Sequence, residues 1–173
     1  MKHLLESAKH SLMQLDAFLN CIETSQYQQQ LPLLSESTLG MHVRHIIEFY
    51  QCLIKGQLQG QINYDARERS LLQESNIEYA RSCIKNLQID LEMISENKSI
   101  HLITEQNNIE SKLIIDSNLY RELSYVIEHT IHHFAIIKMA CITYFPSILF
   151  DEDFGIAYST INYRNRVHSH LSS

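Results

Sequence analysis

The chain has 173 residues, 45% of them hydrophobic, and a formal net charge of −6 with histidine counted neutral. That length suits one domain with a sizeable core, expected over residues 1–173, and the composition is far from that of a disordered chain. An acidic balance with no Lys/Arg run longer than a pair excludes a nucleic-acid footprint and argues against binding to anionic membranes.

Residues 2–25 carry Leu5, Ala8, Leu12, Leu15, Leu19 and Ile22 at alternating steps of three and four, which predicts one face of a helix. The stretch "SQYQQQLP" breaks that pattern, and Pro32 marks a connection. A second helix is predicted from Ser37 or Thr38 to about Leu58, with Leu39, Val43, Ile46 or Ile47, Tyr50, Leu53 and Ile54 inward. Glycines at 56 and 60 end it. Residues 61–74 read as irregular or weakly helical. Ser75 with Glu78 then forms a candidate capping box. It opens a third helix through Ile77, Ala80, Ile84, Leu87, Leu91 and Ile94. Two short apolar runs, 100–104 and 112–116, flank "EQNN" and predict a β-hairpin. Ser117 is the expected cap of a fourth long helix over 118–143, which Pro146 prevents from continuing. Residues 147–173 read as a short helix with an irregular tail.

Four glycines and two prolines in the whole chain leave room for long helices. Four amphipathic helices with modest connections predict an all-α four-helix bundle with a short hairpin before its last long helix. Cys21, Cys52, Cys83 and Cys141 are far apart, form no CxxC pair, and read as reduced, buried, small hydrophobes. The N-terminus has no apolar leader, and no run reaches the ~18 apolar residues of a membrane span. A cytoplasmic protein is therefore expected. The long apolar faces of the first and third helices suggest a homodimer.

Five of the ten histidines fall on two of these helices. His42 and His45 lie on the second, in "GMHVRHIIEFY". His129, His132 and His133 lie on the fourth, in "EHTIHH". At about 100° per residue, His129 and His133 stand only about 40° apart and one turn along, so that pair can grip one ion. His132 lies about 100° round from His133 and cannot easily share the task. On the fourth helix the pair borders the core stripe Val126, Thr130, Phe134 and Ile137. A third ligand must come from another helix, and His42 or His45 supplies it. Neutral imidazoles suit zinc, nickel, copper and iron, and three of them leave an open position, as catalytic sites do. Other metal motifs fail on residue identity. No Glu has a His three residues later, as a di-iron carboxylate bundle needs. Thr130 follows His129 where a zinc protease carries Glu.

Taken together, "STLGMHVRHIIEFY" and, some eighty residues on, "HTIHHFAII" resemble the DinB/YfiT-like superfamily of metal-dependent enzymes. The resemblance extends over nearly the whole chain, including the hairpin and the tail "FGIAYSTINYR". It implies a four-helix bundle of up-down-down-up topology. By position it implies a divalent ion, zinc or nickel, on His45, His129 and His133, with His132 matching a common non-ligating histidine. Many relatives continue the pair with "RGQ", where this chain has Phe134, Ala135 and Ile136. The activity implied is that of a thiol-dependent S-transferase or a hydrolase acting on a small-molecule substrate. A non-catalytic metal-binding or stress-related bundle is the alternative, and no catalytic residue is assigned. Glu48 and Tyr50 are candidate helpers near the ion, although surface solvation and core packing explain them better. Cys52 is two turns, about 10.5 Å, beyond His45, too far to share its ion, and is read as core. Arg67 and Arg69 in "YDARER" could bind an anionic substrate, but loop salt bridges explain them better, as they do Tyr163, Arg164 and Arg166.

Overall fold

The computed structural model describes residues 2–105 and 112–171. The fold is largely helical with a small sheet. Helix α1 (Lys2–Asn20) buries Ala8, Leu12, Leu15 and Leu19, so the predicted face is the buried one, although the helix ends before Ile22. The break after it holds a short helix, α2 (Thr24–Gln28), whose Tyr27 is fully buried and donates its phenol proton to the Gln73 carbonyl at 2.6 Å. A tight antiparallel pair follows, β1 (Gln30–Leu31) with β2 (Ser37–Thr38), closed by a single 3-10 turn over Pro32–Leu34.

Helix α3 (Leu39–Gln59) begins at Thr38, whose hydroxyl accepts from the Met41 N–H at 3.0 Å and so satisfies one of the unpaired amides of the first turn. It stops at Gly60, held left-handed at φ 71°. The chain then enters a two-residue strand, β3 (Gln61–Ile62), which lies parallel to the first strand of the hairpin. The sequence reading did not anticipate this third strand, because two residues carry no periodicity. A short helix, α4 (Leu71–Ser75), precedes α5 (Ile77–Glu92). Asn76, not Ser75, caps α5, since Ser75 is the last residue of α4 and Asn76 Oδ1 accepts from the Tyr79 N–H at 2.9 Å.

The hairpin is antiparallel, β4 (Ser99–Glu105) with β5 (Lys112–Asn118), in the register Ser99 opposite Asn118. Most of the predicted turn lies outside the described residues. Helix α6 (Leu119–Tyr144) is capped by Asn118, which accepts from the Arg121 N–H at 3.0 Å. The expected cap, Ser117, instead donates its hydroxyl to the buried carboxylate of Glu122 at 2.5 Å. After Pro146 the chain folds back on α6, where Phe154 stacks on Phe134 with ring centroids 4.3 Å apart. Helix α7 (Tyr158–Leu171) ends the described chain.

Helix α3 packs against both α5 and α6, and α1 does the same from the other side. One continuous core joins them, centred on Leu12, Leu15, Ile46, Tyr50, Leu53 and Phe134. Among the described residues no helix is long and apolar enough to cross a membrane. The cysteines correct part of the sequence reading. Cys83 and Cys141 are buried, but Cys21 is exposed and Cys52 is half-buried; all four are free thiols.

Gly40, in the first turn of α3, lets α2 and α4 approach that helix. A Cβ there would lie 2.0 Å from the Glu74 carbonyl oxygen and 2.9 Å from Tyr27 Cε1. Gly40→Ala is therefore expected to cost about 1–3 kcal/mol by overpacking. Leu58→Ala, at a 77% exposed position of the same helix, should stay within about 0.5 kcal/mol. Urea denaturation of the two variants beside the parent chain checks the contrast.

Candidate metal centre

Helices α3 and α6 face each other across the side that carries the histidines. The core face of α3 is set by Val43, Ile46, Ile47, Tyr50 and Leu53, and that of α6 by Val126, Thr130, Phe134 and Ile137, all buried. His45 on α3 and His129 and His133 on α6 border these stripes and are half-buried. One ring nitrogen from each of the three lies within 4.8 Å of the other two. His45 Nε2 stands 2.8 Å from His129 Nε2, and His133 Nε2 stands 3.3 Å from the same atom.

His42 and His132, the two remaining histidines of these stretches, part company. The exposed His132 meets its neighbours only ring to ring, 6.4 Å from His129 and 5.7 Å from His133 between centroids. His42 reaches the group from behind: its Nδ1 is 2.9 Å from His133 Nδ1. The contact follows from α3 itself, because His42 is one turn before His45. The sequence offered His42 only as a rival ligand and gave no sign that it would touch His133.

An apolar and aromatic wall encloses the imidazoles. Phe49 stacks on His129 at 4.4 Å and lies 4.5 Å from the His45 ring. Tyr64 stacks on Phe49 at 4.8 Å, and Tyr125 stacks on His129 at 5.7 Å. The Tyr64 hydroxyl donates to Glu122 at 3.1 Å. Phe49 belongs to α3 at the spacing of a core residue, Tyr64 opens the "YDARER" stretch that was read for its arginines alone, and Tyr125 lies one turn before His129 on α6, so the sequence reading passed over all three.

The charged residues near this wall form one network. Glu48 is buried; its Oε1 accepts from the Ser70 N–H at 2.8 Å, and its Oε2 lies 3.7 Å from Arg67 Nε and 3.9 Å from Arg44 Nε. Arg44 also pairs with Glu74. Arg67 donates to the Tyr64 carbonyl and places its guanidinium 4.9 Å above the Phe49 ring. Glu48 is thus committed to two arginines and a backbone amide, and is buried where solvation had been expected. Tyr50 lies about 140° round α3 from His45, fully buried in the core.

Burial governs protonation here. It pushes His133 down to about 2 and His45 to about 3 from the usual 6.5, helped by the neighbouring imidazoles and, for His45, by Arg67. His129 and His42 are lowered too, first by burial and then by His132. The cluster is therefore neutral at pH 7, the state in which imidazole lone pairs are free to bind a cation. Compared with known proteins, the chain matches no family model, no curated protein and no solved structure.

These shifts set a pH dependence for the metal-free protein. Above about 6.5 His42, His45, His129 and His133 are mostly neutral in both folded and unfolded states and contribute little slope. As pH falls below 6.5, the unfolded chain takes up protons that folded His45 and His133 refuse until about 3 and 2. Stability is thus complete above 6.5 and declines as pH drops through this window. The urea midpoint of the metal-free chain should fall between pH 7 and pH 5, and fall less in a His45→Gln/His129→Gln/His133→Gln variant. Equal slopes in the two proteins would refute the assignment.

Proposed function

We propose that this chain is a metal-dependent enzyme of the DinB/YfiT-like kind, a four-helix bundle of up-down-down-up topology formed by α1, α3, α5 and α6. In this reading His45, His129 and His133 hold one divalent ion, zinc or nickel. The carrying observation is the crowding at His129 Nε2, which two other ring nitrogens approach at 2.8 and 3.3 Å. A neutral imidazole nitrogen has either one proton or one lone pair in the ring plane. It satisfies one such neighbour by a hydrogen bond and is left opposed to the other. A cation among three lone pairs removes that conflict. Nitrogens about 2.0–2.1 Å from a tetrahedral zinc stand about 3.3–3.4 Å apart. The 3.3 Å contact has that spacing, and the 2.8 Å contact is tighter by about half an ångström.

The Nδ1 contact between His42 and His133 supports the same reading. One of the two nitrogens donates and the other accepts. If His133 carries its proton on Nδ1 and gives it to His42, its Nε2 lone pair is free for the ion. Ligand histidines commonly have their second nitrogen fixed in this way. When bound, the ion would supply Lewis-acid activation of a thiol, a water or a substrate carbonyl. The chain's own residues supply the surroundings. His42 orients His133, Phe49, Tyr64 and Tyr125 screen the imidazoles from water, and Arg67 contributes a fixed positive charge beside them. The reaction class that fits is thiol-dependent S-transfer or hydrolysis on a small molecule.

Metal per chain, measured on His→Ala variants at the five positions after loading with zinc or nickel, tests the ligand set. His45, His129 and His133 variants should lose the ion. The His132 variant should keep full stoichiometry. The His42 variant should keep it with affinity weakened about 10–100-fold, the usual effect of removing a group that orients a ligand. Loss of metal in the His132 variant together with retention in the His129 variant would overturn the assignment. Screening the loaded protein against low-molecular-weight thiols and electrophiles then tests the activity. Stoichiometric metal without turnover would favour a non-catalytic metal-binding protein.

A further inference from the structure

In the sheet order β3-β4-β5, the second strand of the hairpin lies at the edge. The Leu119 N–H bonds the Lys98 carbonyl at 2.9 Å, one step beyond the pair Ser99 and Asn118. Bonded and non-bonded pairs alternate along an antiparallel ladder. Leu113, Ile115 and Ser117 therefore turn their amides and carbonyls to β4. Lys112, Ile114 and Asp116 turn theirs outward, where no strand among the described residues pairs with them. The side chains add apolar surface: Leu113, Ile114 and Ile115 are 45%, 63% and 41% exposed. Edge strands are ordinarily blunted by proline, a bulge or added charge. Strand β5 has no proline, and its register against β4 runs unbroken from Asn118 to Lys112.

The segment from Lys112 to Asp116, "KLIID", is complementary to its own reverse. An antiparallel copy related by a two-fold axis at Ile114 sets Ile114 against the partner's Ile114 and Leu113 against the partner's Ile115. It also sets Lys112 against the partner's Asp116, once at each end. The pairs formed by 112, 114 and 116 are those whose main chain faces outward, so each exchanges two backbone hydrogen bonds. Moving the axis to 113 or 115 would set Lys112 or Asp116 against isoleucine, so charge selects the register centred on Ile114. Within one copy Lys112 lies 3.8 Å from Glu105 and Asp116 lies 3.1 Å from His101, all four side chains well exposed. The pairing keeps these contacts and extends them into one row across the sheet, in which Lys112 stands between Glu105 and the partner's Asp116. The other edge of the sheet is the two-residue β3. A two-fold that uses both β5 edges therefore closes at two copies.

We propose that β5 is a homodimer interface, through which two copies of the chain pair antiparallel about Ile114 and join their small sheets into one. This surface is distinct from the helical faces of the first and third long helices, on which the sequence placed a dimer. Strand pairing over Lys112 to Asp116 alone is smaller than the ~1,200 Å² at which standard stable interfaces begin, so the dimer dissociates on dilution. The proposal does not depend on a metal at the histidines. It is therefore tested on metal-free protein, where failure of the metal reading has no effect.

Sedimentation equilibrium from low micromolar to several hundred micromolar should show a reversible monomer–dimer equilibrium. Ile114→Lys sets two ammonium groups against each other at the axis and should raise the dissociation constant about tenfold or more. Lys112→Asp makes both ends of the segment acidic, and Asp116→Lys makes both basic. Each of these variants should self-associate about tenfold more weakly than the parent chain. An equimolar mixture of the two should form a heterodimer of near-parental affinity, because every end pair is then of opposite charge. Far-UV circular dichroism matching the parent shows that each variant is folded. Should Ile114→Lys fail to fold, the two charge variants and their mixture decide the question. Three outcomes would each overturn the proposal: a chain monomeric throughout the range, a dimer that Ile114→Lys leaves intact, or a mixture of charge variants that associates no better than either alone.

Discussion

The fold is organised around the contact between α3 and α6, which brings imidazoles together at the edge of an otherwise apolar seam. An apolar seam of this kind is satisfied by dispersion and the release of water. Imidazoles are not, since each nitrogen must find a partner once water is excluded. The seam meets that demand by clustering. His42 meets His133, and His45 and His133 both meet His129. The result is a polar patch whose protonated form is disfavoured by burial and by its own members.

The second buried polar system, around Glu48, is joined to the first through Arg67. Removing a carboxylate from water costs several kcal/mol unless it is compensated. Here two arginines and the Ser70 amide surround Glu48. The same Arg67 lies over Phe49, which in turn stacks on His129. One side chain thus anchors the 61–70 loop to α3, covers the aromatic wall of the imidazole cluster and lines a cavity of about 460 Å³ between α3, that loop, α4 and the hairpin. Its positive charge also disfavours protonation of His45 and His129.

The smaller elements hold this arrangement in place. Tyr27 ties α2 to the end of α4, and Gly40 gives both elements room against the start of α3. The parallel pairing of β3 with β4 carries the hairpin to the end of α3 and so closes one side of the cavity. Tyr64 and Ser117, from the loop and the hairpin, share the buried Glu122 carboxylate at the start of α6.

Periodicity in the sequence determined the long helices, because a repeat of three and four residues has one structural meaning when it persists for several turns. The stripes through Leu12 and Leu15, Val43 and Leu53, Ile84 and Leu91, and Val126 and Phe134 are the buried ones. Two short apolar runs on either side of a polar turn likewise marked the hairpin. Helical spacing also put His129 and His133 on one face, since their separation depends on nothing outside α6. The tertiary structure decided everything that depends on two segments meeting. It set His45 beside His129 and His42 behind His133; spacing along α3 left both open as partners for α6, and the choice of His45 had come from the family resemblance alone. It moved the caps from Ser75 and Ser117 to Asn76 and Asn118, a one-residue choice made by where the flanking α4 and β5 end. It also turned Glu48 from an expected solvated surface group into a buried one, because the 61–70 loop folds over it. Each of these outcomes is a contact between separate segments of the chain or a boundary fixed by a neighbouring element. A local pattern carries no record of either.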